Sequence, residues 1–171
     1  RCARVPDDAG MRCAVILAGG SGTRLWPASR RARHRRRDQG VATGHRQELL
    51  GARARAAAGR VLVVTAAEQA ALVTAAVADV EVVAEPAARN TAAALGLAAV
   101  HALARDPDAV LGAFPADHHI GDPLAFGVAI ERAFAIAERA DVIATVGIAP
   151  TRPDTGFGYL ELGDGEVAPG V

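Results

Sequence analysis

Short apolar runs alternate with alanine-rich stretches along most of this 171-residue chain. The apolar runs are rich in β-branched residues and end at turn signals, which is typical of buried strands. The stretches between them have the periodicity of helices. This alternation predicts β-α-β units and a mostly parallel sheet. We therefore predict a doubly wound, three-layer α/β fold of the Rossmann-like kind, in which ligands bind at the carboxyl ends of the strands.

The same pattern assigns each element to a stretch of sequence. Strands are predicted at 13–17, 61–64, 80–83, 109–114 and 142–146, with a further strand at 159–162. Helices are predicted at 66–78, 90–104 and 123–140. The last helix should begin at an N-cap formed by Asp122. Its core-facing residues recur at helical spacing: Phe126, Ile130, Phe134 and Ala137.

Composition narrows the class of protein. The formal net charge is zero and no apolar run is long enough to cross a bilayer, so we expect neither nucleic acid nor a membrane as a partner. Cys2 and Cys13 do not make a disulfide framework, and a buried free thiol at Cys13 fits a reducing cytoplasm. Residues 1–10 lack the apolar core of a signal peptide. We expect them to be an unstructured extension ahead of a partial domain at 11–171.

A glycine-rich turn directly follows the first predicted strand, where residues 17–27 read LAGGSGTRLWP. Gly19, Gly20 and Gly22 can adopt positive φ and bring backbone N–H groups close to an anion. Thr23 and Arg24 can add a hydroxyl group and a fixed positive charge. The turn is therefore a candidate phosphate cradle, although an ordinary glycine turn has the same composition.

Polar residues also follow the third predicted strand. Asn90 or Thr91 can cap the next helix, and Arg89 places a positive charge at the edge of the sheet. These residues fit either an anion site or a capped loop with a solvated arginine.

An acidic residue follows the fourth predicted strand. Asp117 is a candidate magnesium ligand, because magnesium is usually held by one or two carboxylates together with substrate phosphates. The alternative is an aspartate that caps a turn. We interpret His118 and His119 as orienting or structural groups, because adjacent histidines point in different directions and no further ligands cluster nearby.

The predicted fifth strand leads into a loop from 147 to 159 that contains paired prolines and glycines. Such residues favour a long ordered loop. Because loops at the mouth of a site often carry binding residues, we expect this loop to contact a sugar.

Four sequence blocks together resemble the sugar-nucleotide pyrophosphorylases. The blocks are LAGGSGTRLWP at 17–27, EPAARNTA at 85–92, FPADH at 114–118 and PTRPDTGFGYL at 150–160. They occur in the order of that family and at roughly its spacing. The first two favour its mannose-1-phosphate guanylyltransferase branch. The last departs from the family pattern, with Asp154 for Glu, Phe157 for Tyr and Leu160 for Ile.

The resemblance implies a transferase that makes GDP-mannose and pyrophosphate from GTP and mannose 1-phosphate, with Mg²⁺ bridging the phosphates. It implies that Asp117 holds the metal and that Arg24 stabilises charge on the phosphates. The implied nucleotide-binding residues are Gly19, Gly20, Ser21, Gly22, Thr23, Arg89, Asn90 and Thr91. The implied sugar-binding residues are Gly156, Phe157, Gly158 and Tyr159. A homodimer is compatible with the sequence.

One stretch departs from the family. All nineteen basic residues are arginine, so the lysine that contacts the phosphates in the family is missing. Arg35 falls at its position and is a candidate catalytic stand-in, although its planar fork is broader than an ammonium group. The stretch 34–59 also lacks the expected strand. Our hypothesis is that it is an out-of-frame reading between in-frame flanks, which sequencing of the DNA would test.

Two alternatives to the guanylyltransferase stay open. The chain could serve another sugar 1-phosphate reaction, such as glucose 1-phosphate with dTTP or UTP. It could also be an inactive truncated remnant, because the lysine is absent and the family's catalytic domain continues well beyond its fourth block.

Overall fold

The computed structural model describes residues 10–19, 58–87, 89–116, 120–140, 142–163 and 165. Four strands lie within these residues: β1 (Arg12–Leu17), β2 (Arg60–Ala66), β3 (Glu81–Glu85) and β4 (Val110–Pro115). The same residues contain three helices: α1 (Ala67–Ala76), α2 (Thr91–Leu103) and α3 (Pro123–Ala137). Among these helices, none combines the length and the hydropathy that crossing a bilayer requires.

The four strands form one parallel sheet in the order β3-β2-β1-β4. β1 lies between β2 and β4, and Leu17 pairs with Val64 on one side and with Pro115 on the other. The central residues of β1 and β2 are almost fully buried, as expected for a parallel sheet that helices cover on both faces. The predicted doubly wound, three-layer α/β fold is confirmed.

Alternate residues of the strands build a separate apolar core on each face of the sheet. On one face, Ile16 packs in a cluster with residues of α1 and with Phe134 of α3. On the opposite face, Val15 packs in a cluster with Ala98 of α2. Cys13 lies in this second core as a free thiol, as predicted, and its burial raises the pKa of the thiol.

α3 begins and packs as its sequence predicts. The Asp122 carboxylate accepts hydrogen bonds from the backbone N–H groups of Leu124 and Ala125 at 2.9 and 3.0 Å, which is N-cap geometry. Phe134 is buried and Phe126 packs against the same core. The predicted apolar face of this helix is confirmed for Phe126, Ile130 and Phe134, whereas Ala137 is only partly buried and lies outside that core.

Arg12 fastens the end of α3 to the start of β1. Its guanidinium donates to both carboxylate oxygens of Glu138, at 2.5 and 2.9 Å, and to Glu131 at 2.7 Å. It also lies 5.2 Å from the centre of the Phe134 ring. The bidentate pairing with Glu138 raises the pKa of Arg12, so the group stays charged. This contact lies at the amino end of β1, away from the candidate site.

The predicted helix ends are off by up to three residues, for local reasons. α1 ends at Ala76 instead of 78 because Val77 is extended and Asp79 has a φ of 54°, in the left-handed region. Aspartate is one of the few residues other than glycine that adopts this conformation readily. α3 ends at Ala137 instead of 140, with Glu138 as its C-cap.

The strands predicted at 142–146 and 159–162 are wrong. Both stretches are irregular, and their apolar residues are exposed: Ile143 is 94% and Leu162 is 91% exposed. In the described part of the chain, neither stretch pairs with another strand. β-Branched composition alone does not make a strand, because strand preference depends largely on packing against neighbouring strands.

An added methyl group at two glycines should change the free energy of unfolding in opposite directions. A Cβ at Gly112 in β4 would lie 2.7 Å from Phe134 Cζ and 3.1 Å from Phe114 Cε2. Gly112→Ala should therefore lower the free energy of unfolding by about 1–3 kcal/mol through overpacking.

Gly96→Ala in α2 is the matched control, because nothing lies within 4 Å of its added Cβ. It should raise the free energy of unfolding by about 0.5–1 kcal/mol, since glycine is entropically costly inside a helix. Urea denaturation measures both. Stabilisation by Gly112→Ala would contradict the packing of α3 on β4.

Candidate functional site

The carboxyl ends of all four strands lie at one edge of the sheet. β2 and β3 extend the sheet on one side of β1, whereas β4 lies on the other side. The strand order therefore reverses at the β1–β4 pair, and ligands of open α/β sheets bind in the crevice at such a point. The glycine-rich segment begins after β1 at this crevice, and β4 ends there at Pro115.

The first residues of the glycine-rich turn are held by both neighbouring strands. The backbone N–H of Ala18 donates to the Val64 carbonyl at 2.8 Å. Beside it, the N–H of Ala116 after β4 donates to the Leu17 carbonyl at 3.2 Å. The turn therefore begins from a fixed backbone position next to the end of β4.

Glu85, the last residue of β3, lies against Gly19. Its side chain reaches across the end of β2, where Ala66 is small, and the residue is only 7% exposed. A Cβ added at Gly19 would meet Glu85 Oε2, so the Glu85 side chain would have to shift to make room for it.

Glu85 is a candidate site residue that the sequence prediction missed. The EPAARNTA block indicated Arg89, Asn90 and Thr91, but it gave no reason to separate Glu85 from a solvated acid. The sequence does carry one signal for Glu85, because an acidic residue there ends an apolar strand at the edge of the sheet where ligands bind. A buried carboxyl group is costly unless it is hydrogen-bonded, and the Glu85 side chain takes part in none of the hydrogen bonds among the described residues. It is therefore suited to accept hydrogen bonds from a ligand.

Thr65 is a second residue that the sequence prediction missed. It is fully buried near the end of β2. Its hydroxyl lies 3.3 Å from the Ala18 carbonyl oxygen and 3.4 Å from Gln69 Oε1, in the first turn of α1. Thr65 thus links the glycine-rich turn to α1.

The predicted nucleotide-binding residues after β3 lie at the start of α2. Arg89, Asn90 and Thr91 are all exposed. Asn90 is the N-cap residue, but its side chain makes no capping hydrogen bond. The first N–H groups of α2 and the Asn90 amide are therefore positioned to bind an anion or a polar group.

The predicted sugar-binding residues form an ordered turn of their own. The Tyr159 hydroxyl donates to the Asp154 carbonyl at 3.0 Å and accepts from the Asp154 N–H at 2.7 Å. The Gly156 N–H donates to Asp154 Oδ1 at 2.9 Å. Phe157 is 71% exposed. In this conformation the Tyr159 hydroxyl is used within the loop, whereas Phe157 and Tyr159 are both exposed, so a ligand can contact their rings.

Several predicted site residues lie outside the described part of the chain. They are Gly20, Ser21, Gly22, Thr23, Arg24, Arg35, Asp117, His118 and His119. The described residues themselves contain no cluster of three His, Cys, Asp or Glu side chains that could hold a metal ion. The roles predicted for the residues outside that part remain predictions.

Comparison with known proteins identifies relatives along nearly the whole chain. Residues 13–169 match the family model described as nucleotidyl transferase. The chain is 36% identical over 163 residues to the xanthan biosynthesis protein XanB of Xanthomonas campestris pv. campestris (strain B100), covering 92% of this chain and 35% of that protein. It is 35% identical over 162 residues to mannose-1-phosphate guanylyltransferase 2 of Escherichia coli O157:H7, covering 88% of this chain and 33% of that protein.

A solved structure has the same fold. It is described as a mannose-1-phosphate geranyltransferase from Thermus thermophilus, and it is 30% identical with a TM-score of 0.56. The match covers 75% of this chain and 38% of that one. The chain spans about a third of the length of the curated relatives it matches. The parallel sheet, together with this match over residues 13–169, shows that the chain belongs to the nucleotidyl transferase family.

Proposed function

We propose that this chain is the nucleotide-binding part of a mannose-1-phosphate guanylyltransferase. In the reaction, a phosphate oxygen of mannose 1-phosphate attacks the α-phosphorus of GTP. The bond from the α-phosphorus to the bridging oxygen breaks, pyrophosphate leaves and GDP-mannose forms. Catalysis of this kind depends on positioning and charge stabilisation, with little covalent chemistry for the protein.

The proposal of GTP rests on the buried carboxyl group of Glu85, at the edge of the sheet where ligands bind. A carboxylate can accept two hydrogen bonds side by side. Guanine offers a matching pair of donors, its N1–H and its 2-amino group. Uracil and thymine offer one N–H flanked by two carbonyl oxygens, which a carboxylate repels. Glu85 therefore favours guanine over the bases of UTP and dTTP.

The phosphates are assigned to the turn after β1. Gly19 begins this turn beside Glu85, so a base at Glu85 would leave its phosphates close to the N–H groups of the turn. Arg24 and Thr23 follow in sequence and would complete the cradle. Arg89, Asn90 and Thr91 would contact the nucleotide from the start of α2, and Phe157 would offer an apolar face to the sugar.

Asp117 is the residue assigned to magnesium. It directly follows Ala116, whose N–H is bonded to the carbonyl at the end of β1, so the chain leaves β4 beside the proposed phosphate cradle. One carboxylate with phosphate oxygens is a common donor set for Mg²⁺. When bound there, the ion would neutralise charge on the phosphates.

Glu85→Gln tests the assignment of guanine. The variant should bind GTP about tenfold or more weakly, because a bidentate contact to a base contributes about 1–3 kcal/mol. Inosine triphosphate lacks the 2-amino group, so the preference for GTP over it should shrink in the variant. Affinities from isothermal titration calorimetry give both results.

Glu81→Gln is the matched control, because Glu81 lies at the opposite end of β3 and pairs with Arg60 and Arg105. It should leave the nucleotide affinities unchanged. Tighter binding of UTP or dTTP than of GTP by the unaltered chain would contradict the guanylyltransferase assignment. If the chain neither binds GTP nor releases pyrophosphate from GTP and mannose 1-phosphate, it is an inactive remnant.

Asp117→Asn tests the assignment of magnesium. In the unaltered chain, Mg²⁺ should strengthen GTP binding relative to EDTA. The variant should lose most of this enhancement, about tenfold, while its affinity in EDTA stays the same or rises because a negative charge is removed. Asp108→Asn, in the turn before the start of β4, is the control. An unchanged Mg²⁺ dependence in Asp117→Asn would exclude Asp117 as the ligand.

A further inference from the structure

The hydroxyl group of Thr65 lies near two acceptor oxygens but can donate only one hydrogen bond. It lies 3.3 Å from the Ala18 carbonyl oxygen and 3.4 Å from the side-chain oxygen of Gln69. A hydroxyl group donates one hydrogen bond and can accept others. Both contacts are satisfied at once if the Gln69 amide is turned by 180°, so that its NH₂ group donates to Thr65 while Thr65 donates to Ala18.

This chain of two hydrogen bonds ends on a particular peptide unit. The Ala18 carbonyl and the Gly19 N–H belong to the same peptide group, which is planar and trans. A bond that fixes the carbonyl therefore also fixes the N–H, which points in the opposite direction. The Gly19 N–H is the first donor of the glycine-rich turn.

Gly19 is thus constrained from both faces of the sheet. Val63 and Thr65 project toward the face that carries α1, whereas Val83 and Glu85 project toward the face that carries α2. Thr65 is completely buried, so water does not compete for its hydroxyl. A buried hydroxyl between two secondary-structure elements acts on the geometry of the turn even though it is not exposed to a ligand.

We propose that Thr65 and Gln69 are positioning residues that hold the Ala18–Gly19 peptide beside Glu85, where the proposed nucleotide places its base. The inference rests on the proposed nucleotide-binding function and adds to it a pair of residues that do not touch the ligand. Because a misplaced group weakens binding only where it acts, the pair affects the base and leaves the phosphates, which lie farther along the nucleotide, unaffected.

The test uses Thr65→Val, which removes the hydroxyl group and keeps a branched side chain. Its affinities for Mg·GTP and for guanosine should fall about threefold to tenfold, the loss expected for one hydrogen bond. Its affinity for pyrophosphate should not change. Thr65→Ser, which keeps the hydroxyl, should bind GTP almost as the unaltered chain does. Thr74→Val is the matched control, because the Thr74 hydroxyl bonds only to the Ala70 carbonyl on the surface of α1.

A second readout needs no ligand and separates this inference from the proposed function. In the free chain, hydrogen exchange at the Gly19 amide, followed by NMR, should be faster in Thr65→Val and in Gln69→Leu than in the unaltered chain or in Thr74→Val. Unchanged exchange would overturn the inference, and so would an equal loss of pyrophosphate and GTP binding. If the unaltered chain binds no nucleotide but the exchange result holds, the proposed function fails and the positioning contact stands.

Discussion

Parallel pairing of β1 with both of its neighbours determines where the described candidate residues lie. Leu17 is in register with Val64 and Pro115, so the chain after β1 emerges level with the ends of β2 and β4. A slip of one residue would turn Ile16 out of its core and move Gly19 away from Glu85. Burial on both faces opposes that slip, because each residue of β1 from Cys13 to Ile16 is 0% exposed.

The edge of the sheet above this pairing combines two features that would be unfavourable in a purely structural role. Glu85 buries a carboxyl group, which costs free energy unless donors satisfy it. Gly19 has no side chain, and that carboxyl group occupies the space in which a side chain would lie. Proteins retain such local costs mainly at functional sites. A ligand with paired N–H donors, and phosphates close to them, would satisfy both features.

The parts of this fold that depend on local pattern could be predicted from the sequence. Hydrophobic periodicity located β1 to β4 and the three helices, and the Asp122 cap followed from its place before Pro123. The strand predicted at 142–146 is absent because strand formation depends on a neighbouring strand, which the residues of one stretch do not specify. Its composition is that of a strand, but no described strand pairs with it.

The sequence singled out the glycine-rich segment and the start of α2 because glycine, asparagine and threonine carry local signals. Their roles in the candidate site stay predictions. Glu85 and Thr65 were missed because their importance depends on burial and on contact with Gly19 and Ala18, which are distant in sequence. The preference for guanine that we propose rests on one of these missed residues.

The most direct test is a crystal structure of the chain with GTP and Mg²⁺. The account predicts that guanine N1 and the 2-amino group lie within hydrogen-bond distance of the Glu85 carboxylate, with the phosphates on the turn that begins at Gly19. GTP bound elsewhere, or bound there with its base turned away from Glu85, would contradict it.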